Sequence, residues 1–574
     1  MAKILILAEK GDEAEKYALA FQKHKQVNKV WIVSDPEFGE ARIVHAQGHL
    51  TELDEPDAYN ERWAEWKLDD LPMIPNKFHE HLDTTKGKGR LFNTIKKEVM
   101  AADEIYIGTD ADREGENIAY SILSLIPNGV AKVRKRIWQN STTKKGVRLA
   151  LSKLRDASET RPYAHEAKAR QKSDWIVGMN MSRLATIKLQ NAGYRVKGGF
   201  PIGRVQTAIV SLLVDNDQQI NNFEKTDFWQ LELTDQYGVK YRNDRKFETE
   251  AEGKKALQAL QENSLVAEYK SEEKVQTPPK LLNLFDASAI AKKAWGYPSD
   301  KTLDIIQSLY DRGANLEGWI SYPRTGINYI SEFEFEGLVN SIKNYQELLG
   351  LNFPIAHPEA RDKYVNSKKT KEHTALIPTE VLPKWEELSE EQKNVYRLIT
   401  TRTIMMFAPD EKYQKIDITL KNQGYEFKAS FKKVLDPGYT AYLSQQSKKE
   451  QEAPGYSEGQ QIFTEAKLVK GETKSPARLT ESKLVQTVLP KYQIGTPATM
   501  GSTLKLLKKH DYIKDAKDGF HPTDKANALV EFLYDTPLID PDTTSVWEKS
   551  LKLIGKNSPR MTEDKFVEIT IKLV

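Results

Sequence analysis

The sequence predicts a multidomain α/β chain with separate helical and β portions, and three observations carry that expectation. Its 574 residues correspond to about four domains at roughly 150 residues each. From Lys3 to Leu125, short apolar runs alternate with amphipathic stretches, the pattern of a parallel sheet covered by helices. Lys415–Phe431 alternates at period two around Asn422-Gln423-Gly424, which marks an all-β portion.

Taken in order, Lys3–Ala8 reads as the first strand, with an amphipathic stretch through Gln22 behind it. Val30–Ser34, Arg42–Ala46 and Glu104–Thr109 read as further strands, and Glu116–Leu125 as a helix. Thr143–Leu189 is largely helical and basic, and Phe228–Leu233 joins the β portion. Leu281–Trp295, Thr302–Arg312 and Glu332–Lys343 have helical spacing. Ser444–Gln461 is polar, contains Pro454 and Gly455, and reads as a linker or long loop. Near the C-terminus, Glu481–Val488 and Met500–Lys509 resemble a helix–turn–helix around Gly495-Thr496-Pro497.

Composition excludes several classes of function. The chain has no cysteine, which removes disulfides, thiolate catalysis and Cys-based zinc sites. No apolar run approaches the ~20 residues of a membrane helix, and Ile4–Ala8 stops at Glu9, too short for a signal core. A cytoplasmic protein without a membrane partner is the expectation. The net charge of +3 hides a strong asymmetry. Ala131–Gln206 carries 18 Lys/Arg against 4 Asp/Glu, and Ala466–Lys517 carries 11 against 4. Such segments suit a polyphosphate partner, although two solvated helix faces account for the charge equally well.

The sharpest local motif is Asp110-Ala-Asp112-Arg-Glu114-Gly-Glu116, directly after an apolar strand. Carboxylates at alternate positions beyond a strand's C-terminal end can converge on one cation. Oxygen-only ligands suit Mg²⁺. An acidic loop capping a helix is the plain alternative. Glu9 ends the first strand in the same way and can lie beside this cluster, and Lys10 can supply a proton or hold a phosphate. The second motif is Ser321-Tyr322-Pro323-Arg324-Thr325. A phenol is a weak nucleophile at its ordinary pKa of about 10 and needs cationic help. Arg324 offers a bidentate grip on a phosphate.

Together with Pro201–Thr207 (PIGRVQT), Glu372–Thr379 (EHTALIPT) and Ile494–Thr499 (IGTPAT), these motifs occur in an order that resembles the type IA DNA topoisomerases, closest to the topoisomerase III group. Asp57-Ala58-Tyr59 before Trp66, and Ser173–Arg183, match that group too, and the resemblance spans about Ala2 to Ala528. It implies a Toprim-type α/β metal domain within a four-domain toroidal architecture. On that reading 1–155 is the metal-binding domain and 156–220 the first part of a helical DNA-groove domain. A β arch takes 221–280 and 406–465, the nucleophile domain 281–405, and the rest of the groove domain 466–574.

The same resemblance implies that Tyr322 attacks a single-strand phosphodiester and keeps the 5′-phosphate, after which another strand passes and the break is resealed. Arg324 would stabilise the phosphate and Lys10 protonate the leaving oxygen, with Glu9 and His373 holding the site. Glu9, Asp110, Asp112 and Glu114 would carry Mg²⁺. Trp66, Trp175, Arg183, Arg204, Gln206 and Arg324 would touch the DNA strand. The implied partner is DNA, single-stranded or negatively supercoiled, with a helicase as a further candidate. No nucleotide cofactor is implied, in keeping with the lack of a G-x-x-x-x-G-K-[ST] loop. For each tryptophan half-buried packing is the alternative, and for His373 a core position.

Departures from the family pattern stand beside these matches. Gly326 follows Tyr-Pro-Arg-Thr where the family usually has an acid, Met500 replaces an arginine, and Gly11-Asp12 replace Pro-Ser. There is no zinc-ribbon tail, and no obvious room for a long decatenation loop after Phe228. Two other classes fit part of the sequence: a primase or nuclease on the same metal fold, and a degenerate relative that clamps DNA without cutting. The first leaves Tyr322, Arg324 and His373 without a role. The second is motivated by Gly326 and Met500, and a covalent DNA adduct separates it from an active enzyme.

Overall fold

The computed structural model describes residues 3–139, 144–311, 318–370, 373–443, 452–495 and 497–574, with 497–499 by backbone alone. Thr143, Arg312, Glu372, Thr496, the 497–499 side chains and residues 444–451 of the linker, all named above, lie outside what is described.

The N-terminal region is built on a seven-stranded sheet. Its centre is parallel: Gly39–His45, Ile4–Ala8, Glu104–Gly108 and Val133–Arg136 lie side by side in that order. The edges are antiparallel, so the sheet is mixed where a parallel one was expected. The reason is local. Lys23–Val27 folds back on Val30–Asp35 through Asn28 and Lys29, both at positive φ, the two-residue hairpin turn whose twist matches paired strands. Lys23–Val27 is exposed throughout, so no apolar alternation betrayed it. Helix Gly11–Ala20 packs with one core, and helices Lys88–Ala101 and Arg113–Ser124 with the other. The ends of Ile4–Ala8 and Glu104–Gly108 therefore present Glu9 and Asp110 together.

Helix Ala157–Asn191 runs 35 residues from a capping box in which Asp156 and Glu159 satisfy each other's backbone N–H groups. With helix Arg204–Asn221 it shares one hydrophobic core with residues between Leu479 and Phe566, so chain segments far apart in sequence fold together. The C-terminal segment also carries a hairpin, Ile513–Ala516 with Gly519–Pro522. Its first helical stretch is loosened to a π-helical turn over Leu484–Val488, just before Pro490.

Six strands close a barrel in the order Asp227–Asp235, Lys240–Arg242, Tyr425–Asp436, Glu411–Asn422, Asn263–Gln276, Gln461–Glu472. Gln423 and Gly424, both at positive φ, form the expected turn between its two central strands. Helices Leu284–Trp295, Ser299–Tyr310, Glu332–Leu349 and Glu390–Ile404 form the region that carries Tyr322. No helix among the described residues is long and apolar enough to cross a membrane.

Candidate active site

The first wall of the site is the sheet edge. Glu9 is 6% exposed; its carboxylate meets Lys10 Nζ at 2.9 Å and accepts the Asp110 N–H at 3.3 Å. Lys10 also reaches Asp110 Oδ2 at 3.6 Å. Burial, then the charge of Asp110, pushes the Glu9 carboxyl above its ordinary value. Burial alone would lower the Lys10 ammonium, but Asp110 and Glu9 outweigh it and keep the group protonated.

The Asp110–Glu116 turn is held in shape by its own residues. Asp112 caps helix Arg113–Ser124 by accepting the Gly115 N–H at 2.7 Å, and Thr109 Oγ1 donates to the Gly115 carbonyl at 2.8 Å. Gly115 is required here, because a Cβ would lie 2.1 Å from the Asp110 carbonyl oxygen. Beneath the turn lies Arg136, fully buried, which pairs with Glu116 at 2.5 Å. Its remaining donors reach the carbonyls of Ile107, Ile137 and Asp110 at 3.2, 2.7 and 2.5 Å.

Among the described residues no group of three or more His, Cys, Asp or Glu side chains is arranged to hold a metal ion. The expected convergence of Glu9, Asp110, Asp112 and Glu114 is thus not seen. Asp112 is committed to its cap, and Glu114 turns away to His49 Nε2 at 2.6 Å. Burial would raise Glu114, but the His49 hydrogen bond and charge hold it below its ordinary value. The donor set nonetheless fits a hard cation. Asp112 is raised chiefly by burial and also by the charges of Asp110 and Glu114, an acidic excess that a cation would relieve. Mg²⁺ needs only one or two carboxylates when waters and substrate phosphates complete its shell.

The second wall carries the nucleophile candidate. Ser321 N–H donates to the Ile377 carbonyl at 2.9 Å, and Ser321 Oγ both donates to the Ala375 carbonyl and accepts the Ile377 N–H. This clamps the Ser321–Thr325 segment onto residues 375–378 and sets Tyr322 beside His373, their rings stacked with centroids 4.6 Å apart. Tyr310 meets Tyr322 edge-on at 5.6 Å. Burial pushes the Tyr322 phenol up to about 12, against the opposing pull of Lys10 and Arg324. Burial lowers His373, against the acidic pull of Asp110 and Asp112. Arg324 is exposed. At the position of the absent acid, the Gly326 carbonyl accepts from Asn283 Nδ2 at 3.3 Å. Two residues on, Asn328 Nδ2 binds Asp286 at 2.7 Å.

Lys10, Asp110, Tyr322 and His373 line one cavity of about 460 Å³ between these walls. Glu13 and Gln139 line it too, and sequence reasoning missed both. Glu13 accepts the Glu9 N–H and the Gln139 side-chain amide, each at 2.8 Å. Its place one helical turn after Glu9 was the available signal.

The strand-contact candidates separate into open and covered residues. Trp66 is 52% exposed, with the Arg183 guanidinium 5.3 Å from its ring centroid. Arg183 is buried and donates to the carbonyls of Trp63 and Glu65 at 2.7 and 3.2 Å. Trp175 is 7% exposed, wedged edge-on against Tyr59 and Phe78, with its indole N–H on the Asp54 carbonyl at 3.0 Å. It offers no open face for a base in this structure, contrary to the expected stacking, because the segment before Trp66 covers it. Arg204 is 3% exposed, and Gln206 has a buried, unpartnered Oε1. Met500, at the family's arginine position, is buried in the core of the helical region.

A family described as DNA topoisomerase matches residues 158–568, and a Toprim domain, a type that generally binds metal, matches residues 4–141. DNA topoisomerase 3 of Salmonella typhimurium is 28% identical over 89% of this chain and 84% of its own. DNA topoisomerase 1 of Alkalihalophilus pseudofirmus is 29% identical over 96% and 81%. In fold, the chain is similar to full-length topoisomerase I from Thermotoga maritima, with a TM-score of 0.71 and 23% identity over 99% of this chain and 89% of that one. With a parallel-centred sheet, a β barrel, and a half-buried tyrosine facing an acidic sheet edge, the chain belongs to the type IA DNA topoisomerase family.

Proposed function

We propose that this protein relaxes negatively supercoiled DNA without ATP, cutting one strand through Tyr322 and resealing it after strand passage. The observation that carries the reading is the shared cavity: residues 10, 110, 322 and 373, remote in sequence, face one another across it. The Tyr322 oxygen attacks phosphorus, the bond to the 3′-oxygen breaks, and the 5′-phosphate remains on the tyrosine. A phenol at about 12 is protonated at neutral pH, so its proton passes to water in the cavity as the bond forms. Lys10, held protonated by its acidic neighbours, donates to the departing 3′-oxygen. Arg324 meets the phosphate charge from the exposed side, and His373 fixes the ring by stacking. Resealing runs the same steps backwards, so the bond's energy is retained in the phosphotyrosine.

Glu9 and Asp110 would hold Mg²⁺, with Asp112 as a further carboxylate of the set, and the ion would supply positive charge to the DNA phosphates near the cut. Trp66 supplies an open ring for an unpaired base, whereas Trp175 and Arg183 hold the surface beneath it. The test is relaxation of negatively supercoiled plasmid in Mg²⁺ without ATP, paired with denaturation of a labelled-DNA reaction. Relaxation together with a DNA adduct on a Tyr322 peptide supports the reading. Binding with no adduct at several pH values and metal concentrations would replace the enzyme with a clamp.

A further inference from the structure

A cluster of charged side chains outside the cavity lies where four helices meet. Arg113, between Asp112 and Glu114, donates Nη1 to Glu166 at 2.7 Å and to Glu548 Oε2 at 3.1 Å. Arg204 donates Nη2 to Glu548 Oε1 at 3.0 Å and Nε to Asp174 at 3.3 Å. One carboxylate on helix Pro541–Gly555 therefore holds an arginine of the metal-side turn and an arginine of the candidate strand groove. Gly555 permits this packing, since a Cβ there would lie 2.0 Å from Glu166 Oε2. Burial would raise the Glu548 carboxyl, but Arg113, Arg204 and Arg170 together hold it below its ordinary value and keep it charged.

The cluster is not closed on itself. Arg204 Nη1, Gln206 Oε1 and Gln171 Oε1 are buried without a hydrogen-bond partner. Buried polar atoms are nearly always satisfied, so Arg204 Nη1 needs an acceptor that the described residues do not supply. Nε and Nη2 are pinned by Asp174 and Glu548, and the guanidinium lies 5.4 Å from the Trp547 ring centroid.

We infer that Glu548 is a positioning residue shared by the two halves of the reaction: it fixes Arg204 with Nη1 left over for a phosphate of a strand admitted to the groove, and it anchors Arg113, and with it the turn carrying Asp112 and Glu114. This rests on the reading of Arg204 as a strand contact given above. Glu548→Gln keeps the shape but removes the charge and one of the two acceptor oxygens, leaving Glu166 as the anionic partner of Arg113 and Asp174 as that of Arg204. Both arginines then gain rotamer freedom, one beside the metal carboxylates and one in the groove.

The experiment uses the full chain and four variants: Glu548→Gln, Arg113→Met, Arg204→Met and, as a packing control on the same helix, Leu551→Ala. Binding of a fluorescent single-stranded oligonucleotide is measured in EDTA. Hydrogen exchange of residues 109–116 is followed in EDTA without DNA, and the Mg²⁺ midpoint is read from plasmid relaxation. Glu548→Gln weakens oligonucleotide binding by roughly tenfold, the size of one lost charge-assisted contact. It also speeds exchange at 109–116 and raises the Mg²⁺ midpoint by about tenfold or more, as loss of an outer-shell partner does. Arg204→Met reproduces the binding defect alone, and Arg113→Met the exchange and Mg²⁺ defects alone. A Glu548→Gln protein that moves neither readout, or only one, overturns the shared role. So does Leu551→Ala, if an equal loss of melting temperature brings the same pair of defects. The exchange measurement needs neither DNA nor metal, so it reads Glu548 even where wild-type protein fails to relax plasmid. That failure would fall on the functional reading alone.

Discussion

The sheet wall of the cavity is held by charge, and the tyrosine wall by backbone hydrogen bonds and ring packing. On the first, Glu9, Lys10, Glu13 and Asp110 interact over a few ångströms, and Arg136 ties the turn to the sheet from below. On the second, Ser321 docks the segment onto residues 375–377, and His373 and Tyr310 frame the phenol. Across the gap run Lys16 Nζ to Tyr310 Oη at 2.6 Å and Lys145 Nζ to Glu380 at 3.1 Å, a hydrogen bond and an exposed ion pair. The difference teaches which perturbations each wall feels. Cations and charge substitutions act on the sheet wall, whereas steric changes act on the tyrosine wall. A nucleophile positioned by packing can also separate from a charged wall without leaving an unpaired buried ion behind it.

The largest expected effect breaks the tyrosine wall chemically and leaves its packing whole. Tyr322→Phe keeps the ring against His373 and removes the oxygen, so relaxation falls by at least about 10⁴-fold, as for other lost nucleophiles. Single-strand affinity stays near wild type. A gel-based relaxation series with an oligonucleotide titration checks both, and residual relaxation within tenfold of wild type would move the nucleophile elsewhere.

On the sheet wall, Asp110→Ala with Asp112→Ala abolishes relaxation in Mg²⁺ while single-strand binding survives, since on the proposed reading the carboxylates serve chemistry more than affinity. Full relaxation by the double variant would remove the acidic edge from the mechanism.

Arg136→Met tests whether the sheet wall depends on its buried pair. It leaves Glu116 charged and unpaired, which costs about 3–5 kcal/mol, and frees the Asp110 carbonyl. Thermal melting of the N-terminal region drops accordingly, and Arg136→Met with Glu116→Leu recovers most of the loss. If the single variant melts like wild type, the pair is not what holds the turn.

The two tryptophans sharpen the contrast between open and packed rings. Trp66→Ala weakens single-strand binding by about 1–3 kcal/mol with unchanged melting. Trp175→Ala lowers melting first, by the roughly 3–5 kcal/mol of a core truncation. Oligonucleotide titration and calorimetry on the same samples separate the two, and the reverse pattern would exchange their roles.

The smallest effect is in acid. The Arg148 hydrogen bond, against burial and with backbone help from Glu37 and Gln22, draws Asp35 down from 3.8 to about 2. The folded value lies below the unfolded one, so the stabilisation is complete above 3.8 and fades as pH falls toward 2. Arg148→Met removes that portion of the acid dependence in a pH series of melts. An unchanged acid limb would show that Asp35 does not contribute to it.

Residue type, order and local period determined much of this protein. Ile4–Ala8 and Glu104–Gly108 are strands because each apolar run is short and is followed by polar residues, and the turn after Asn422 follows from Gly424, which takes positive φ freely and carries Gln423 with it. The ordered motifs placed Tyr322, Lys10 and Asp110 in one family site, and the structure sets them around one cavity. Partner choice was decided only in three dimensions. Glu114 answers to His49, 65 residues away, Trp175 to Asp54, and Arg204 to Glu548, 344 residues on. A motif specifies a carboxylate or a guanidinium at a place on a strand or helix. Which way it turns depends on the charge and burial that distant segments bring to it, and the strength of those interactions is set by the low dielectric that packing creates.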